Sequence, residues 1–455
     1  MKSKTFIQKC ILFLSLVFTL LIIFCSCSLL TTERSIKNTK INPDGDLIIY
    51  YTDDTYQNLG RVVGEDGKDG IDGKDGEPGA NGKNGVAGKD GNPGTDGKDG
   101  VITIVGGDES IALATSKGLR STVSVICGFS NLSTGELYTS RGAGVILNFD
   151  KATGSAYIIT NYHVVYDSNA STYNKISDDI KVLIYGSEYS ESVISATYLG
   201  GTMYYDLAVL KVTNSDILKG SDVVAATINS SSSIIPGQDA IAIGNPNGDG
   251  ISSTYGIISK DSEYIEMYGA DNKTPVEYRV MRIDTAVNSG NSGGGLFDKN
   301  GNLIGIVNAK YNDTKVENIS YAIPSDIVQA VYSNIIYHCD GISCTTLQRA
   351  LLGVTVTASN SSGVFDSETG YMSIQENVII SSVDITSPAF FDLKENDVVT
   401  KIVVGEYSKK VTRMFHLIDT MLNAKVGDTI TMYIERNGIE MNFSYTVTNE
   451  MVISY

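Results

Sequence analysis

Three segments of this chain carry side chains able to perform nucleophilic catalysis, and their order is informative. Ser292 lies in Gly290-Asn291-Ser292-Gly293-Gly294-Gly295-Leu296, downstream of Thr160-Asn161-Tyr162-His163-Val164-Val165 and of Tyr205-Asp206-Leu207-Ala208-Val209-Leu210. His163 and Asp206 are 43 positions apart, and Asp206 and Ser292 are 86 apart. A serine hydroxyl is a poor nucleophile near neutral pH and needs a base beside it. Imidazole, with an ordinary pKa near ~6.5, suits that task, and a carboxylate that fixes its tautomer completes the set. His163 is one of three histidines in the chain and follows the apolar run Ala156-Tyr157-Ile158-Ile159. The glycines around Ser292 permit backbone angles that expose the hydroxyl. They also let N–H groups converge on one point, which makes Gly290, Asn291 and Ser292 the candidate oxyanion-hole donors; losing one such donor costs about 10²–10³ in rate.

Each segment alone has an ordinary reading: a glycine-rich loop, a structural histidine, a strand cap. The order His, Asp, Ser is one of the known solutions for a catalytic triad. Its occurrence here points to a serine endopeptidase in which His163 is general base and acid, Asp206 orients it and Ser292 attacks. The elements around these residues are short β-branched runs, for example at 123–126, 180–185 and 280–283, punctuated by Gly, Asn and Asp. That pattern predicts an all-β architecture, closed by a helix over 325–332 with Ser325 or Asp326 as its cap.

From about residue 107 onward the chain resembles the HtrA/Deg family of trypsin-like serine proteases. The resemblance rests on the three segments above and on Gly142-Ala143-Gly144-Val145-Ile146, Ala242-Ile243-Gly244-Asn245-Pro246, Asp284-Thr285-Ala286-Val287-Asn288-Ser289 and Leu303-Ile304-Gly305-Ile306-Val307. It implies an all-β chymotrypsin-like double β-barrel over 107–340, two six-stranded barrels with the active site between them. The chain departs from the family pattern at Arg141, Tyr162 and Gly295, none of which is a catalytic group. Asn291 stands where digestive relatives carry an Asp that pairs with a newly cut N-terminus, so activation by that pairing is not expected. Ala286, six residues before the nucleophile, is the candidate specificity-pocket residue. Without a carboxylate there, the resemblance implies cleavage after a small or medium aliphatic residue rather than after Lys or Arg.

The region 345–455 resembles a small α/β PDZ domain of the HtrA type, on Leu351-Leu352-Gly353-Val354, Val378-Ile379-Ile380-Ser381-Ser382-Val383, Ser387-Pro388-Ala389, Asp397-Val398-Val399 and Val426-Gly427-Asp428-Thr429-Ile430. PDZ domains add an extended peptide as a strand and hold its terminal carboxylate with backbone N–H groups. The resemblance makes Leu352, Gly353 and Val354 that loop, with the flanking helix at 413–422, and implies C-terminal peptides as partners. His416 on that helix reads as a packing or solvent-edge residue. His338, Cys339 and Cys344 lack a fourth ligand at the usual spacing, so no metal site is read there; a short disulfide between Cys339 and Cys344 and two free thiols both remain open.

The front of the chain is of a different kind. Lys2, Lys4 and Lys9 precede an apolar run from Cys10 to Leu30, so residues 1–30 read as a signal peptide or membrane anchor. Phe24-Cys25-Ser26-Cys27 resembles a lipoprotein cleavage site with Cys27 as lipid acceptor; an uncleaved helix is equally compatible. Either places the catalytic region on the extracytoplasmic or cell-surface side of a membrane. Residues 31–63 read as a linker. From residue 64 to residue 100 glycine occupies every third position without a break, twelve Gly-X-Y triplets, the period of a collagen triple helix, where only glycine fits the axis. The alternative for this stretch is a flexible acidic linker. As an extended stalk it would reach ~110 Å at ~3.1 Å per residue. A triple-stranded stalk and the trimers common in the HtrA family are mutually consistent, so a homotrimer is expected.

The formal charge of −17 argues against a nucleic-acid partner. Three of the six cysteines lie in the leader, which excludes a disulfide-rich scaffold. No nucleotide or metal motif occurs, so no cofactor is expected. The partners that remain are unfolded or exposed polypeptide substrates.

Overall fold

The structure, a computed structural model, describes residues 36–43, 46–61, 109–187, 192–310, 319–339 and 345–454. The leader, the Gly-X-Y run and Cys344 lie outside the described residues. Among the described residues no helix is long and apolar enough to cross a membrane. The chain divides into two compact units, 1–99 and 100–455.

In the first unit, the stretch expected to be a linker instead carries an antiparallel sheet, β1 (Ile36–Ile41), β2 (Asp46–Tyr51) and β3 (Tyr56–Arg61), in the order β1-β2-β3. Its strand content follows from Leu47-Ile48-Ile49-Tyr50-Tyr51, five consecutive residues of apolar or aromatic type and mostly high β-propensity.

The second unit opens with the helix Glu109–Leu119 and continues into β4 (Thr122–Ser130), β5 (Leu137–Asp150), β6 (Ser155–Thr160), β7 (Asp179–Ile184), β8 (Ile194–Thr202) and β9 (Leu207–Val212). These run in the order β8-β7-β4-β5-β6-β9, and β8 pairs with β9 to close the ring. A second closed barrel follows, β10-β11-β12-β15-β14-β13, from β10 (Asp239–Gly244), β11 (Ser252–Tyr268), β12 (Pro275–Ile283), β13 (Gly295–Phe297), β14 (Leu303–Lys310) and β15 (Ser320–Pro324). Closure removes exposed strand edges and gives each barrel its own apolar interior. Val123, Val125, Ile158, Ile180, Leu210 and their neighbours fill the first, and Ile258, Met281, Ile283, Leu296 and Ile304 are among those that fill the second. The expected pair of six-stranded barrels is what the chain forms. The closing helix runs Ser325–His338, and neither Ser325 nor Asp326 caps it: Pro324 holds the N-cap position, Ser325 Oγ donates to Asn229 O and Asp326 Oδ1 accepts from the Ser231 N–H. It outruns its expected end because Ile335 continues the apolar stripe of Ile327, Val328 and Val331 that packs inward.

A short strand β16 (Thr345–Thr346) adds to β8, and β17 (Gln348–Ala350) pairs with the final strand β24 (Val452–Ser454). Between them lies a sheet in the order β18-β19-β20-β22-β23, with β21 on β20: β18 (Val354–Phe365), β19 (Met372–Val383), β20 (Val398–Val404), β21 (Tyr407–Lys410), β22 (Thr429–Arg436) and β23 (Ile439–Thr446). The helix Met414–Met421 packs its apolar side on this sheet's own core of Val378, Ile380, Val399, Ile402, Ile430 and Ile434.

This C-terminal sheet is joined to the second barrel by buried charge. The Arg279 guanidinium on β12, 2% exposed as a residue, donates to Asp419 on the helix Met414–Met421, and Phe415 stacks on it with the ring centroid 4.1 Å from the guanidinium carbon. Arg413 donates to Asp261 at 2.7 Å and to Glu376 at 3.2 Å. Removing one partner of a buried pair strands the other charge, which costs about 3–5 kcal/mol. Asp419→Ala is therefore expected to lower the free energy of unfolding by a corresponding amount, whereas cutting the exposed Lys219–Asp216 pair should leave it almost unchanged. Equal small effects from both would show that the pair does not hold the two parts together.

Candidate active site

The site is built where the two barrels meet. Thr160 ends β6, and the chain turns directly into one helical turn, Tyr162–Val165, whose buried Val164 and Val165 anchor it in the first barrel. His163 projects from this turn, with its imidazole 40% exposed. Asp206 closes the turn before β9 with φ of +51°, a left-handed angle that Asp tolerates better than most residues. The two are locked to each other through backbone and side chain together. The His163 N–H donates to Asp206 Oδ1 at 2.9 Å, and His163 Nδ1 meets Asp206 Oδ2 at 2.6 Å. The Asp206 carbonyl accepts from Asn161 Nδ2 at 2.8 Å and from the Tyr162 N–H at 3.1 Å. With Nδ1 donating to the carboxylate, Nε2 is left as the free base facing the cleft.

The nucleophile loop is strapped to both barrels. The Gly293 N–H donates to Val307 O at 2.9 Å, and Ala143 on β5 of the first barrel donates to Ser292 O at 2.9 Å. Two glycines here are dictated by geometry. Gly290 has φ of +96° and Gly293 φ of +84°, and an added Cβ would lie 2.1 Å from Asn245 O and 2.2 Å from Ala143 O respectively. Ser292 Oγ donates to Asn308 O at 3.0 Å, and among the described residues no hydrogen bond joins it to His163. A rotation about its Cα–Cβ bond is the movement that would present the hydroxyl to His163; catalytic hydrogen bonds often tighten only when substrate is in place.

Two expectations need correction. Asn291 is not an oxyanion donor: its N–H is taken by Asn288 O at 3.0 Å. No hydrogen bond from the N–H of Gly290 or Ser292 to another described residue is made, so those two remain the candidate donors. Asn291 Oδ1 is buried without a hydrogen-bond partner among the described residues, and a carboxylate there would be a buried charge with no partner among those residues. Ala286 does not line the cleft. It is exposed, and its carbonyl accepts from Thr254 Oγ1 at 3.0 Å. The cleft beside the triad has a volume of about 730 Å³, and its apolar wall comes from Met203, Met267, Val276, Tyr278 and Val287.

The residue that sequence reasoning missed is Asn308, the sixth residue of β14 and 1% exposed. Its Nδ2 donates to Asp206 Oδ2 at 2.7 Å, and its Oδ1 accepts from the Tyr278 hydroxyl at 3.1 Å. Tyr278 is itself buried, and burial, followed by the Asp206 charge, holds its phenol well above the ordinary value, so it stays a protonated donor. A hydrogen-bonded chain therefore runs from the buried Tyr278 and Asn308 through Asp206 to His163 at the cleft. The signal in the sequence was a polar residue ending the apolar run Ile304-Gly305-Ile306-Val307.

His416 and His338 do not join this site. Burial first, then Lys409, Arg279 and Arg413, pushes His416 down to about 3, so it is a neutral packing residue that accepts from the Thr412 N–H at 3.3 Å. His338 ends its helix and stacks edge-on against Tyr337. Leu352, Gly353 and Val354 lie far along the chain at a second cleft of about 400 Å³, between β18 and Leu417, Ile418 and Met421 of the helix Met414–Met421.

For His163, burial pulls the imidazole pKa down, but the charge and hydrogen bond of Asp206 outweigh it and the net shift is upward from 6.5. Catalysis needs the neutral ring, so kcat/KM is expected to rise with pH through an acid limb above 6.5. Asp206→Asn removes the raising charge and leaves the burial, so the limb should move down while kcat falls by about 10⁴. Asn308→Ala deletes one hydrogen bond to a charged group, worth about 1.5–3 kcal/mol, and should lower kcat by roughly tenfold to a hundredfold without changing KM. An Asn308→Ala enzyme with unaltered kcat and pH profile would remove it from the machinery.

The sequence is similar to those of known proteins. The sequence model of the trypsin-like peptidase domain matches residues 142–306, and that of the collagen triple helix repeat matches residues 60–106. The serine protease Do-like HtrA of Bacillus subtilis is 30% identical over 341 residues, 72% of this chain and 68% of its own. The protein of the same description from Lactococcus lactis subsp. cremoris is 32% identical over 321 residues, 68% of this chain and 71% of its own. Among solved structures, the HtrA-type protease AlgW with tripeptide aligns with 74% of this chain and 96% of its own at 25% identity and a TM-score of 0.47. With a histidine, an aspartate and a serine gathered between two barrels, and relatives of that extent, the chain belongs to the Do-like HtrA family and is a trypsin-like serine endopeptidase.

Proposed function

We propose that the enzyme cuts misfolded or exposed polypeptides on the outer side of a membrane, in protein quality control, with the C-terminal sheet acting as a PDZ-type sensor of peptide ends. The observation that carries the catalytic part is the hydrogen-bonded group His163, Asp206, Asn308 and Ser292 beside an open cleft. An extended chain laid in that cleft brings its scissile carbonyl to Ser292. His163 Nε2 takes the hydroxyl proton as Oγ bonds to the carbonyl carbon, and the oxyanion is received by the Gly290 and Ser292 N–H groups. The imidazolium returns the proton to the leaving amine, and water repeats the sequence on the acyl-enzyme. The wall of Met203, Met267, Val276 and Val287 favours an aliphatic side chain before the cleaved bond, in place of the role first given to Ala286.

The PDZ reading rests on an open edge. Among the described residues β18 pairs with β19 alone, which leaves its other side without a described strand along the cleft that faces Leu417 and Met421. At its head Gly353 adopts φ of +70°. The loop is braced by Ser387 Oγ donating to Leu352 O at 2.6 Å and by the Asp384 N–H donating to Gly353 O at 2.8 Å. An added strand would be bonded by β18, and its carboxylate would meet the N–H groups at 352–354. The leader supports a membrane attachment through the N-terminus, as a lipoprotein or an uncleaved helix. The Gly-X-Y run supports a homotrimer, each chain supplying one strand of a stalk.

Two measurements test this reading. Unfolded casein should be cleaved by the parent and not by Ser292→Ala; equal failure of both, with peptides supplied, would favour a binding or scaffold role. A hydrophobic peptide with a free C-terminus should bind at least tenfold tighter than its amide, and Gly353→Val should abolish the difference; indifference to amidation would end the PDZ assignment.

A further inference from the structure

The sheet β1-β2-β3 has more apolar surface than it can cover. Side chains alternate along β2, so Leu47, Ile49 and Tyr51 share one face and Ile48 and Tyr50 the other. Register places Ile41 beside Leu47 and Gln57 beside Ile49, and the Tyr51 hydroxyl donates to Gln57 Oε1 at 2.9 Å on that same face. The opposite face is mixed. Tyr50 and Tyr56 lie with ring centroids 6.2 Å apart, and Asn58 donates to Asp46 at 2.9 Å. Among the described residues of this sheet none is buried, and Ile41 is 56% exposed.

A sheet in this state lacks a reason to persist alone. Units below about 40 residues usually need disulfides, a metal or oligomerisation to hold a fold. No cysteine occurs between Cys27 and Cys127, so disulfides are closed to it. The chain itself names the partner. Three residues after β3 ends, the Gly-X-Y run begins at Gly64, and that repeat has one association chemistry, with two further copies of itself. Only Pro78 and Pro93 stiffen its twelve triplets, so the strands gain from being gathered and aligned at one end.

We infer that β1-β2-β3 is a trimerisation unit: three copies of this chain pack their Ile41, Leu47 and Ile49 faces together, covering the aliphatic surface and starting the Gly-X-Y strands in register. The occupant of the exposed face is thus a second and third copy of the same sheet. Association at this end raises the effective concentration of each repeat for the others. The inference rests on the triple-stranded reading of the stalk.

The test uses the whole chain in detergent and does not rest on total mass, which cannot say which part of the chain associates. The readout is tryptic cleavage at Lys68, Lys74, Lys83, Lys89 and Lys98, which a triple helix protects, and the rate at which protection returns after heating. The parent is expected to resist cleavage. Ile49→Lys, which puts charge on the aliphatic face, should be cut at least tenfold faster and regain protection at least tenfold more slowly. Ile49→Leu and Tyr56→Lys, on the mixed face, should behave as the parent. Ile49→Lys with full protection and normal recovery overturns the inference while leaving the stalk intact, as does Tyr56→Lys failing to the same degree as Ile49→Lys. A parent cleaved at all five lysines as fast as a short peptide overturns the stalk reading, and the inference with it.

Discussion

A carboxylate taken out of water needs hydrogen-bond donors on both of its oxygens, and in this protein that demand organises the centre of the fold. Asp206 is 9% exposed. One oxygen takes the His163 N–H, and the other takes both the imidazole and Asn308 Nδ2. These donors come from the turn after β6 in the first barrel and from β14 in the second. The barrels therefore have to be docked before the charge is satisfied, and once docked they fix the imidazole in one tautomer. The same strand that delivers Asn308 also holds the nucleophile loop through Val307, whose N–H and carbonyl engage Gly294 O and the Gly293 N–H at 2.8 and 2.9 Å. Orientation of base and position of nucleophile share one support.

That arrangement explains which features of the sequence were legible. Triad residues are fixed by chemistry and advertise themselves through glycines and strand-end context, so His163, Asp206 and Ser292 could be named without coordinates. The barrels were legible from β-branched runs and the first turns of the closing helix from its apolar pattern, not from a cap, since Pro324 holds the N-cap position and neither Ser325 nor Asp326 caps the helix; its end was not legible, since it depends on Ile335 meeting a core formed by distant strands. Asn308 was not legible as a functional residue. Its role exists only because β14 lies beside β9's entry turn in three dimensions, and a lone asparagine at the end of an apolar run carries no local mark of that.

The misreadings have physical causes of the same kind. Asn291 was grouped with its neighbours as a donor because spacing cannot tell which N–H a tight loop consumes internally; here Asn288 consumes it. Ala286 was placed in the pocket by counting back from the nucleophile, but the chain bends so that its carbonyl is held by Thr254 and the wall is supplied by β12 and its surroundings. Residues 31–63 read as a linker because the stretch is short and lies beside the glycine repeat. Their strands come from five consecutive apolar or aromatic residues, a local signal that the neighbouring composition obscured.

The central claim is that Ser292, and no other serine, is made nucleophilic by a base held on Asp206. The most direct test is to treat the folded protein with a small fluorophosphonate, follow intact mass, and locate the adduct in the digest. The account requires one adduct per chain, on Ser292, forming faster as pH rises through the His163 limb and absent from Ser292→Ala. Labelling of a different serine, or no labelling at any pH in folded protein, would contradict it.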